Sequence, residues 1–88
     1  MADLFEATHK RSLNFLRAEL QTGLTFATVA LAAKHQDKID RNRVNARKAY
    51  DSFVRYASRV VLSDREQREL NQPLAELRRR LTKLGERL

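Results

Sequence analysis

The sequence predicts an all-α fold, an antiparallel up-down-up bundle of three long helices, on three observations. Apolar residues recur at helical spacing in three successive segments. Glycine and proline, which punctuate sheets and turns, occur only two and one times in 88 residues, and this argues against hairpins and sandwiches. Two short polar breaks, at Lys34–Lys38 and at Ser63, carry helix-capping residue types and divide the pattern in three.

Helix 1 is expected over about residues 4–33, with Asp3 as N-cap and Glu6 completing a capping-box-like start. It carries two apolar stripes. One runs through Leu13, Leu16, Leu20, Leu24, Ala27 and Leu31, the other through Phe15, Ala18, Thr22, Phe26, Val29 and Ala33. At about 100° per residue they lie roughly 150° apart. A helix resting on one surface needs a single stripe. Two stripes require cover on both sides, from two neighbours in the same chain or from one neighbour and a partner. The phenylalanine stripe is therefore the candidate seam for self-association or for a protein partner. Gly23 sits mid-helix, where it costs about 1 kcal/mol relative to alanine; it either admits a close neighbour or marks a bend.

Helix 2 is expected over about 38–62, capped by Asp37, with an inner face of Ile39, Ala46, Tyr50, Phe53, Ala57 and Val60. Helix 3 is expected over about 64–86. Ser63 and Glu66 form its capping box, and Leu70, Leu74, Leu77, Leu81, Leu84 and Leu88 step 4-3-4-3-4 along one face. Pro73 interrupts this ladder and is expected to kink the helix or split it in two, because the ring removes one backbone bond and crowds the preceding turn. Gly85 supplies a helix end.

Eighty-eight residues make one domain, near the size at which a single core is barely sufficient. Without cysteine there is no disulfide or thiolate metal site, so packing or oligomerisation must supply stability. Asp3 and Glu6 stand where a signal peptide would carry positive charge, and the longest uncharged run, Leu20 to Ala33, is too short to span a bilayer. A soluble cytoplasmic domain that does not engage membranes is the expectation.

The net charge of +7 is concentrated in the middle segment, where residues 34–62 hold eight bases against three acids. Arg41, Lys48 and Arg55 recur every seven residues and Arg59 follows four later, a row opposite the Phe53 face that could meet phosphates or an acidic partner. Arg78, Arg79 and Arg80 fan around helix 3 instead, with Glu76 in reach of Arg80.

Catalytic chemistry finds little support. His9 and His35 lie at opposite ends of helix 1, roughly 39 Å apart at 1.5 Å per residue, and so cannot share a metal or form a dyad within one chain. His9 extends the Leu13 stripe, and His35 reads as a loop residue or a partner for the C-terminal dipole of helix 1. Asp37 and Asp40 read as capping, and Tyr50 and Tyr56 as rings at or beside the core. No catalytic residue, metal ligand or cofactor site is expected.

Ala30–Ala33, Asp37, the run Asn45-Ala46-Arg47-Lys48-Ala49-Tyr50 and the leucine-arginine run of helix 3 resemble the microtubule-interacting-and-trafficking type of three-helix hairpin. That type is itself similar to a tetratricopeptide repeat with an added helix. The likeness covers roughly residues 24–85, and the longer helix 1 and Pro73 depart from it. It implies a binding module that lays a partner helix into an interhelical groove, with Leu77 and Leu81 as candidate groove residues. The chain also resembles small bacterial proteins with no assigned activity. The expected function is a non-enzymatic protein-protein interaction or scaffold module; the alternative is a sequence-nonspecific nucleic-acid-binding protein using the basic outer face of helix 2.

Overall fold

A computed structural model describes residues 2–88, with side chains from Glu6 onward. It contains α1 (Ala2–Ala32), α2 (Gln36–Ala57) and α3 (Asp64–Lys83), joined by short connections and without strands among the described residues. The cap expected from Asp3 lies outside the described side chains. The molecule is slender, 53 × 19 × 17 Å, because α1 alone spans about 47 Å at 1.5 Å per residue. Its radius of gyration of 14.5 Å accordingly exceeds the roughly 12 Å of a rounder domain this size.

Helix α1 is the common support. It packs mostly against α2, next against α3, while α2 and α3 touch each other only slightly. The contact with α2 is close because small residues face each other: Gly23, Ala27 and Ala30 on α1, Ala46 and Ala49 on α2, all buried. A Cβ built on Gly23 would stand 2.7 Å from Leu77 Cδ2 and 3.4 Å from Ala49 Cβ. Gly23 thus serves close approach, where all three helices meet. The core cluster comprises Leu13, Leu16, Leu20 and Ala27 from α1, Ala46, Tyr50 and Phe53 from α2, and Leu70, Leu77 and Leu81 from α3.

Two helix ends differ from expectation. Position 35, not Asp37, is the N-cap of α2; His35 has the extended backbone of a cap but no capping side-chain bond. Asp37 falls in the first turn, where its charge still favours the exposed N–H groups. Helix α2 stops at Ala57, five residues early. Beyond it Val60 and Leu62 turn inward onto the core while Val61 is 89 % exposed. This in-out-in alternation is that of an extended connection rather than of another helical turn.

Helix α3 has the expected capping box: Ser63 Oγ accepts from the Glu66 N–H, and the Ser63 N–H donates to Glu66 Oε1. It continues through Pro73 as one helix, so the ring does not split it; Pro73 lacks the N–H that would bond the Glu69 carbonyl. It ends at Lys83 in a Schellman turn: Gly85, with φ +93°, donates to the Thr82 carbonyl, and Glu86 N–H donates to the Leu81 carbonyl. That turn sends Glu86 back to α2, where its carboxylate meets Arg47 Nη1 at 3.2 Å and Arg43 Nε at 3.7 Å.

Candidate interaction surface

The phenylalanine stripe of α1 remains at the surface along much of its length. Helices α2 and α3 both pack on the leucine side, so Ala18 and Thr22 face outward, Phe15 is 39 % exposed, and Val29 and Ala33 are half-buried. Phe26 departs from the rest of the stripe by packing against the core. The Phe15 ring leans on Tyr56 of α2, centroids 4.6 Å apart at 50°, and this pair marks the α1–α2 edge of the face. From Leu20 to its end at Ala32 the helix has no charge.

Leu77 and Leu81 do not line a groove. Both are fully shielded, at 0 % exposure, beneath α1, so no partner helix can reach them. The leucine ladder of α3 is core; an apolar stripe has the same spacing whether its cover is intramolecular or a partner.

The basic row is also partly redrawn. Arg41, Lys48 and Arg55 are exposed on α2 and free of ion pairs among the described residues. Arg59 lies beyond the helix end and instead lines a hollow of about 880 Å³ at the base of the bundle, with His9, Leu13, Val60, Leu62 and Glu66. The other arginines of α2 are engaged: Arg47 with Asp51 at 2.9 Å, Arg43 with Asp40 at 3.4 Å, and both with Glu86. The bond to Asp51 raises the Arg47 pKa further above its ordinary value. On α3, Glu76 holds both Arg79 and Arg80, and Arg80 also reaches Thr28 of α1.

Two contacts between α1 and α3 could not be read from the sequence, since their partners are more than fifty residues apart. His9 Nε2 lies 3.0 Å from both oxygens of Glu66. Arg17 grips Glu69 with two bonds, of 2.5 and 2.8 Å. The Ser63 N–H, and after it His9, hold the Glu66 carboxyl below its ordinary value; Arg17 does the same for Glu69. A carboxylate with a depressed folded pKa stabilises the fold above its unfolded pKa, and that contribution is lost as pH falls through the folded value. Urea midpoints are therefore expected to drop as pH is lowered through and below the ordinary carboxylate range. Replacing Glu66 and Glu69 together by Gln should flatten the drop; an equally steep loss in the double variant would refute the assignment.

Among the described residues no cluster of three or more His, Asp or Glu side chains could hold a metal ion, and no helix is long and apolar enough to cross a membrane. What the surface offers is one uncharged helix face with an aromatic edge and one basic helix face. No protein-family model, curated protein or solved structure matches the chain.

Proposed function

We propose that this chain is a helical protein-protein interaction module working without catalysis, and that its docking face is the α1 seam from Phe15 to Ala33. The observation that carries this reading is the outward placement of Ala18 and Thr22 on a helix without charge from Leu20 to its end at Ala32, beside the exposed Phe15–Tyr56 pair. Small side chains allow a second helix to approach closely, and the aromatic pair supplies the area that anchors an interface. A second copy of the chain, related by a twofold axis, is the simplest supplier of that helix. The resemblance to three-helix binding hairpins supports a binding role, although the face proposed here is not the groove that the resemblance implies. A cytoplasmic setting fits a chain that needs no disulfide.

Thr22→Glu is the informative change. Thr22 is exposed, whereas Phe26 also packs on the core, so a charge at 26 would confound docking with folding. Light scattering on the parent is expected to show a concentration-dependent dimer, and T22E a helical monomer. A parent that stays monomeric at high micromolar concentration overturns self-association.

A further inference from the structure

We propose that the outer stripe of α2 binds the phosphate backbone of duplex DNA without reading its sequence. The stripe is Lys38, Arg41, Asn45, Lys48, Ser52 and Arg55, stepping 3-4-3-4-3. That spacing makes one continuous row, about 26 Å long at 1.5 Å per residue. All six side chains present hydrogen-bond donors. The four cations are exposed, Asn45 and Ser52 are half-exposed, and none of the six has an ion-pair or side-chain hydrogen-bond partner among the described residues.

The vacancy of this row follows from how the fold distributes its acids. Asp40 and Asp51 lie on the flank of α2 and are turned to Arg43 and Arg47, which Glu86 also neutralises from the end of α3. Glu66, Glu69 and Glu76 are spent on His9, Arg17 and the Arg79–Arg80 pair. Two acids stand beside the row: Asp37, in the first turn of α2, and Asp51, one helical turn from Lys48 and Arg55 and bonded to Arg47. On α2 the charge left uncompensated by internal pairing therefore includes a line of four cations along a convex helix face, a shape that matches a linear polyanion.

Three features favour a DNA duplex over other polyanions. Phosphate oxygens accept from amide and hydroxyl donors as well as from cations, so all six positions are usable. The row contains no aromatic residue on which single-stranded bases could stack. The major groove of B-form DNA, about 12 Å wide, accommodates a helix along its phosphate edges, whereas that of A-form RNA is too narrow.

The test is fluorescence anisotropy with a labelled mixed-sequence DNA duplex across salt concentrations. With four phosphates neutralised, log affinity should fall with a slope of about −3.6 against log salt, or about 150-fold between about 50 and 200 mM. K38Q/R41Q/K48Q/R55Q should abolish most of the binding and of the slope. The matched variant R65Q/R68Q/R78Q/K83Q, which removes the same charge from exposed positions of α3, should leave both nearly intact. Circular dichroism should show both variants folded. Absence of binding at low salt, or equal losses in the two variants, would overturn the proposal. So would equal affinity for a single strand, or competition by polyglutamate as effective as that by DNA.

Discussion

Phe53→Ala is expected to destabilise the fold by about 3–5 kcal/mol, the usual range for removing a buried aromatic ring. Phe53 is 4 % exposed and belongs to the central cluster, to which α1 contributes Leu13, Leu16 and Leu20 and α3 contributes Leu70. The elongated shape makes the loss harder to absorb. With α2 and α3 barely touching, α2 is held chiefly through its face on α1, where Phe53 sits. A domain of this length has a total stability on the order of 4–13 kcal/mol, so the variant should melt tens of degrees lower or be unfolded at ambient temperature. A circular-dichroism melt of F53A overlaying the parent would show that the core assignment is wrong.

How far the structure was legible from sequence differs from one residue to another, for identifiable reasons. The start of α3 was readable because the Ser63–Glu66 box is local: both partners lie within one turn and need nothing from the rest of the chain. Its end was readable at Gly85, since a left-handed residue after a helix favours glycine. The end of α2 was not, because no glycine or proline marks it; Val60, Val61 and Leu62 prolong an apolar pattern whose change of period, from helical to alternating, is too short to detect. Asp37 misled in a similar way. A residue type that favours the cap also favours the first turn, and the two positions differ only in backbone angle.

The candidate surfaces divide along the same line. Two stripes on α1 implied cover on both sides, yet α2 and α3 both pack on the leucine side, and periodicity could not say which stripe their packing would leave outside. Burial decides it, with Leu16 at 0 % and Phe15 at 39 %. Leu77 and Leu81 fit a groove as well as a core by spacing alone, and only the position of α1 over them separates the two. The free charge on α2 was visible as a row at 41, 48 and 55. That Arg43 and Arg47 are neutralised while the row is not depends on Glu86, brought from 39 residues further along the chain from Arg47 by the turn at Gly85.

Leu77→Ala should cost about 2–5 kcal/mol, and Gly23→Ala in the same molecule should return part of that loss. Leu77 is fully buried, and its methyl groups occupy the volume that a side chain at position 23 would need: Cδ2 lies 2.7 Å and Cδ1 3.2 Å from a Cβ built on Gly23. In the parent, Gly23→Ala sets two effects against each other. Alanine favours a helix interior by about 1 kcal/mol over glycine. The added methyl displaces the end of the buried Leu77 side chain, and overpacking of this kind costs about 1–3 kcal/mol. The single G23A variant should accordingly be neutral or destabilised despite its better helix propensity. Once Leu77 is alanine, the obstruction is gone; the helix preference acts unopposed, and the new methyl fills part of the cavity. The double variant should then be more stable than the sum of the two single losses implies, with a coupling of about 0.5–3 kcal/mol. Urea denaturation of the four proteins measures this directly. Additive losses would mean that Gly23 and Leu77 do not compete for one space, and that the three helices do not meet at position 23.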